Sequence, residues 1–242
     1  MNLKKLSTLA MLIMFVLGAA FAQSNISVNY LGNNNTMVKF KANQKYLLMP
    51  IQESAPEAQV SVLINGEIMQ QMNVRLAQGK KDYLVPLDLK AWQGKDIVLN
   101  IRTGNDRSNV RDSRADVCWK QMGLSNAFDT KNVEKFRPAY HHTPLYGWMN
   151  DPNGMFYKDG VWHLYYQFNP YASVWGNMTW GHSSSTDLIH WKAEAPAIYG
   201  DGLGTIFSGS SVVDKDNTSG FGSGAIVAIY TSAGMTQQQS MA

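Results

Sequence analysis

The chain has 242 residues, 45% of them hydrophobic and 16% charged, and a formal net charge of +3. Setting aside Lys4 and Lys5 of the leader lowers that +3 to about +1, with no basic stripe left to grip nucleic acid. Cys118 is the only cysteine, which excludes an internal disulfide, so stability must come from packing.

Residues 1–22 carry Lys4 and Lys5, an apolar run from Leu9, and Ala20-Phe21-Ala22 ahead of Gln23. This pattern is that of a signal peptide. The apolar run is short for a membrane-spanning helix, and no cysteine follows it to take a lipid anchor. The expected product is therefore exported, to a periplasmic, cell-surface or extracellular location, without stable membrane insertion after cleavage.

Residues 23–128 show short alternating segments: Ile26 to Tyr30, Met37 to Phe40, Tyr46 to Leu48, Val60 to Ile64, Glu67 to Val74, Tyr83 to Leu87 and Ile97 to Ile101. Strands at this spacing predict a β-sandwich accessory domain. Asn65-Gly66, between two such segments, predicts a type I′ hairpin. Tyr83 and Trp92 fit either a carbohydrate-stacking platform or, as single aromatics in a sandwich, the core. The polar run from Thr103 to Arg114 predicts a surface connector with mixed, solvated charges. Cys118, beside Trp119, has no adjacent base and is expected to be buried and inert. His141 and His142 are neighbours that a strand would point to opposite faces, so they do not form a metal pair. No metal site or cofactor is expected.

From residue 129 the character changes. Trp148-Met149-Asn150-Asp151-Pro152-Asn153-Gly154 sets one carboxylate among aromatics and amides. Pro152 lacks an N–H and Asn153-Gly154 favours positive φ, so the stretch predicts a rigid turn leading into a strand at Met155-Phe156-Tyr157. An ionised carboxylate held there is suited to attack an anomeric carbon. Downstream follow Tyr166-Gln167-Phe168-Asn169-Pro170, Trp175-Gly176-Asn177-Met178-Thr179-Trp180-Gly181-His182, Ser185-Thr186-Asp187-Leu188-Ile189-His190-Trp191 and Ile206-Phe207-Ser208-Gly209-Ser210. Interleaved Trp, Gln, Asn and Ser match a sugar ring, whose hydroxyls need fixed polar partners and whose C–H faces stack on aromatics.

The order and spacing of these motifs resemble glycoside hydrolase family 32, the invertases, inulinases and levanases. The lead-in Arg137-Pro138-Ala139-Tyr140-His141-His142-Thr143-Pro144 resembles the family's own, with His142 in place of the more usual aromatic. The resemblance implies an all-β chain in which the accessory sandwich precedes a five-bladed β-propeller, of which residues 129–242 supply two incomplete blades. It implies a retaining glycosidase that cleaves β-fructofuranosidic bonds in levan, inulin or sucrose, with Asp151 as nucleophile. Trp148 and Asn150 then match walls of the fructose subsite and Gln167 a hydroxyl-binding amide. Trp175 matches a rim aromatic, and Phe207 with Ser208 a pair lining the same pocket.

Retaining chemistry needs a second carboxylate roughly 5 Å from the first. The family's Arg-Asp-Pro acid and its Glu-Cys proton donor do not occur in this sequence. Glu194 is expected to be solvated, Asp187 to hold a turn with Trp191 buried beneath it, and Asp201, Asp214 and Asp216 to form turns. A five-bladed propeller needs at least about 200 residues, so the chain reads as truncated and inactive alone. Two alternatives stay open: a fructan-binding protein without catalysis, and a related propeller enzyme acting on arabinofuranosides. Four Asn-x-Ser/Thr sequons occur, at Asn25, Asn34, Asn177 and Asn217, and Asn177 lies too near the expected pocket to be an attractive glycan acceptor.

Overall fold

The computed structural model describes residues 25–104, 111–129 and 137–242. The expected signal peptide and residues 105–110 of the connector lie outside the described residues. Every strand expected from the alternation forms. In the N-terminal part these are β1 (Ile26–Gly32), β2 (Asn35–Lys41), β3 (Tyr46–Ile51), β4 (Ala58–Ile64), β5 (Glu67–Val74), β6 (Tyr83–Asp88), β7 (Asp96–Thr103) and β8 (Gly123–Ser125). A five-stranded sheet of order β1-β2-β7-β4-β5 faces a three-stranded one of order β6-β3-β8. Alternate residues of both sheets, among them Val38, Leu47, Val62, Leu87 and Leu99, are buried in one shared core. Period-2 patterning thus makes a sandwich because each sheet has one apolar face to hide.

Asn65 and Gly66 have φ of 52° and 86°, the two left-handed residues that a type I′ turn requires between β4 and β5. Tyr83 and Trp92 are partly buried against the core, so the packing reading of these aromatics holds. The short helix α1 (Cys118–Gln121) buries Cys118 and Trp119, and the Trp119 indole N–H donates to the Ser113 carbonyl at 2.6 Å. The connector is less solvated than its composition suggested. Arg111 forms a two-pronged ion pair with the buried Asp116, because a guanidinium fork satisfies both oxygens of a carboxylate that packing takes from water.

The C-terminal part is two antiparallel meanders. The first has β9 (Trp148–Lys158), β10 (Val161–Asn169), β11 (Thr179–Ser185) and β12 (Lys192–Ala193), in order β12-β11-β10-β9. The second has β13 (Thr205–Asp214), β14 (Ala225–Ala233) and β15 (Gln237–Met241). These are the up-and-down sheets from which propeller blades are made. Phe156, Tyr165, Trp180, Ile206, Ala228 and Tyr230 form a core between them. Among the described residues no helix is long and apolar enough to cross a membrane.

Three local expectations need correction. Trp191 is half-buried and its indole N–H donates to the Leu188 carbonyl, because it closes the outer turn of the sheet and does not sit in the core. Glu194 is not simply solvated: it accepts from Ser184 Oγ at 2.7 Å and from Lys192, since the end of β12 brings it over β11. The third concerns the motif around Asp151, which is strand and not turn.

Candidate active site

Trp148 to Gly154 runs extended as the first half of β9. A central strand would reject Pro152, but β9 is an edge of its sheet, where a missing N–H leaves no ladder bond broken. The motif does break the register twice. Tyr166 pairs with Pro152 and Phe168 with Met149, so Asn150 and Asp151 together face the single residue Gln167. Leu164 pairs with Met155 and Tyr165 with Asn153, so Gly154, at φ 46°, is an extra residue too. Bulges of this kind bend a strand and re-aim its side chains. Two in one motif turn the Asp151 carboxylate out of the ladder to an exposed position.

Asp151 meets the second blade there. Ser208 Oγ donates to Asp151 Oδ2 at 2.7 Å, and Asn150 Nδ2 reaches Asp151 Oδ1 at 3.4 Å. Beside Ser208, Phe207 packs edge-on to Trp175 with ring centroids 6.2 Å apart. Trp175 is 59% exposed and Trp148 37%, so large apolar faces stand open beside a carboxylate. Asn150 Oδ1 is buried with no hydrogen-bond partner among the described residues, an acceptor open to a donor from a ligand. Asp151, Asn150, Trp175, Phe207 and Ser208 are thus linked by contact, with Trp148 on the same strand.

Gln167 sits behind this group, 2% exposed. With the Asn153 amide turned to set its oxygen toward these donors, the orientation that satisfies both of its ends, Gln167 Nε2 donates to that oxygen at 3.0 Å, the Gln167 backbone N–H at 3.2 Å and the Trp180 indole at 3.0 Å. Asn153 is fully buried and gathers three donors from β10 and β11. Sequence reasoning misses this role, since there Asn153 reads as part of a rigid turn. The alternation of β10 carried the missing signal, since it points Gln167 to the inter-blade face with Tyr165.

Three other acids of the two blades are engaged elsewhere. Asp187 accepts from the backbone N–H groups of Ile189 and His190 and from the His190 ring, which holds its carboxyl well below the usual range. Asp214 accepts from the hydroxyls and N–H groups of Thr218 and Ser219, with the same effect. Asp201 accepts from the Leu203 N–H at 2.8 Å. All three serve turns, as expected. Among the described residues no group of three or more His, Cys, Asp or Glu could hold a metal ion.

A bulged edge strand on a propeller-type blade thus presents one carboxylate in a site that also exposes aromatic faces, a combination suited to a sugar ring. Residues 141–242 match the model of the glycosyl hydrolases family 32 N-terminal domain, and residues 32–140 match a domain of unknown function, DUF4980. The chain is 57% identical over 101 residues to a levanase of Bacillus subtilis, 40% of this chain and 15% of that protein. It is 43% identical over 128 residues to an extracellular exo-inulinase of Aspergillus awamori, 50% of this chain and 24% of that one. A β-fructofuranosidase structure from Schwanniomyces occidentalis, complexed with fructosyl-erythritol, aligns at 47% identity and a TM-score of 0.41 over 43% of this chain and 23% of that one. From residue 141 onward the chain is thus similar to glycosyl hydrolase family 32. It spans about a quarter or less of the length of these curated relatives.

Proposed function

We propose that this chain carries the nucleophile half of a secreted, retaining glycosidase that cleaves β-fructofuranosidic bonds in fructans or sucrose. The observation that carries the reading is the Asp151 carboxylate, re-aimed by a bulge and held by Ser208 Oγ at 2.7 Å beside exposed Trp148 and Trp175. Asp151 attacks the anomeric carbon and the glycosidic oxygen leaves with a proton, forming a fructosyl ester that water then hydrolyses. Asn150 Oδ1, unpaired among the described residues, accepts from a sugar hydroxyl. Gln167 supports the site by fixing Asn153. Trp148, Trp175 and Phe207 give the ring its apolar walls.

Asp187, Glu194, Asp201 and Asp214 are all tied to neighbours, and the sequence holds neither an Arg-Asp-Pro nor a Glu-Cys acid, so on this reading the proton donor lies outside this pair of blades. On this reading residues 1–22 are a signal peptide, 23–128 the accessory sandwich and 129–242 the opening blades of the catalytic propeller. The extracellular description of the A. awamori relative accords with export.

The experiment is fructose release from sucrose, inulin and levan by this chain, alone and extended by the remainder of a family 32 catalytic domain. Release is expected from the extended protein only, and Asp151→Asn should lower it by roughly three orders of magnitude or more. Turnover retained by that variant removes Asp151 as the nucleophile.

A further inference from the structure

The accessory sandwich is fastened to one particular loop of the first blade, the segment between β10 and β11 that carries Trp175. Three anchors fall on either side of that tryptophan. Gln70 Nε2 donates to the buried Tyr171 hydroxyl at 2.7 Å, and the Tyr171 ring is part of the sandwich core. Ser173 Oγ donates to Glu53 Oε1 at 2.6 Å; the Tyr83 hydroxyl donates to the same oxygen. Asn177 works in both directions, Oδ1 accepting from the Asn73 N–H at 2.7 Å and Nδ2 donating to the Asn73 carbonyl at 2.9 Å.

The last contact has a clear physical basis. β5 is an edge strand, with backbone groups that a neighbouring strand would otherwise fill. The Asn177 carboxamide offers one donor and one acceptor with the geometry of a peptide group, and pairs with Asn73 as a strand residue would. Asn177 sits at φ 46°, a left-handed conformation that asparagine tolerates. Within the loop, Asn169 Nδ2 donates to the Val174 carbonyl at 2.8 Å and Asn169 Oδ1 accepts from the Tyr171 N–H at 3.0 Å. Fixed from inside and from the sandwich, the loop has little freedom left, yet its Trp175 is 59% exposed and touches Phe207.

We infer that the N-terminal sandwich acts as a clamp on the active-site rim, with Glu53, Gln70 and the edge of β5 at Asn73 positioning Trp175 for the sugar. This deepens the functional reading given above and rests on it for the role of Trp175. It gives the domain of unknown function a task in the same site, that of ordering an aromatic wall before substrate arrives, so that binding does not bear the ordering cost. It also leaves both ends of the Asn177 amide engaged.

The test uses the whole chain and two sets of variants. Asn177→Gly with Ser173→Ala cuts the clasps from the loop side while keeping the backbone conformation, and Glu53→Ala cuts one from the sandwich side. Hydrogen exchange is expected to quicken at Asn73 and from Ala172 to Gly176 by about tenfold in the double variant, the effect of losing roughly two net hydrogen bonds. Glu53→Ala should quicken Ser173, while β9 and β10 stay unchanged. Calorimetric affinity for 1-kestose should fall in the double variant, and Trp175→Ala added to it should cost little more. Unchanged exchange overturns the clamp. Faster exchange with affinity intact, where Trp175→Ala alone weakens binding, overturns the positioning role. Faster exchange where Trp175→Ala alone has no effect supports the clamp and overturns the proposed sugar contact instead.

Discussion

Ser208 Oγ lies 2.7 Å from Asp151 Oδ2, and this bond joins β13 of the second blade to the bulged edge of the first. The carboxylate is thereby oriented by a strand that begins more than fifty residues after it. Ser208→Ala leaves an exposed position unstrained and removes one hydrogen bond to a charged group, worth about 1.5–3 kcal/mol. On the proposed role of Asp151 as nucleophile, kcat of the extended protein is expected to fall roughly 10- to 100-fold. An unaltered kcat would show that Ser208 does not orient the nucleophile.

Gly154 carries a second prediction. At φ 46°, a Cβ there would press on the backbone N and Oγ of Ser211 in β13, backbone that cannot step aside as a flexible side chain does. Left-handed strain of about 1–2 kcal/mol adds to overpacking of about 1–3 kcal/mol. Gly154→Ala should therefore destabilise by about 2–5 kcal/mol on a urea transition. A midpoint equal to wild type would mean that the two blades are not packed on each other at this bulge.

His182 makes stability depend on pH. Burial, and then the neighbouring His163, push its pKa down to about 4, and the two rings meet with His163 Nδ1 and His182 Nε2 2.9 Å apart. The folded state prefers the neutral ring, so its contribution is complete above the ordinary value of 6.5 and is lost as pH falls from there through about 4. His182 is partly exposed, and solvent screening reduces the effect to about 1 kcal/mol. Urea midpoints at pH 7, 5.5 and 4.5 should decline, and His182→Gln should flatten the decline. Equal slopes in the two proteins would place the acid sensitivity elsewhere.

Cys118 is 1% exposed and burial pushes its thiol up to about 12. Since the thiolate is the reactive form, a disulfide reagent at pH 8 should label the folded protein only as fast as it unfolds and label the urea-unfolded chain at once. Rapid labelling of the folded state would contradict the packing of α1 against the sandwich.

The strands were legible because each is a short alternating run with one face to bury, as in β4, where Ala58, Val60, Val62 and Ile64 point inward. The turn residues were equally plain at Asn65-Gly66, whose conformation depends only on local sterics. Local rules misread the stretch from Trp148 to Gly154. Pro152 and Gly154 signal a turn wherever nothing else acts, and the sheet overrode that signal by placing them on an edge with two bulges. Trp191 and Arg111 were misplaced for a related reason, since burial depends on what lies opposite in space.

The sequence alone determined the all-β character, the strand order along the chain and the identities of the aromatic, amide and carboxylate groups from Trp148 to Ser208. Periodicity and side-chain chemistry are properties of neighbouring residues, so they can be read there. Only the tertiary structure decided that Asp151 faces outward from a bulge under Ser208, that Asn153 is a buried hub, and that Asn177 closes the edge of the sandwich at Asn73. Asn73 and Asn177 stand 104 residues apart, and a contact at that distance is set by how sheets stack, which no local pattern contains.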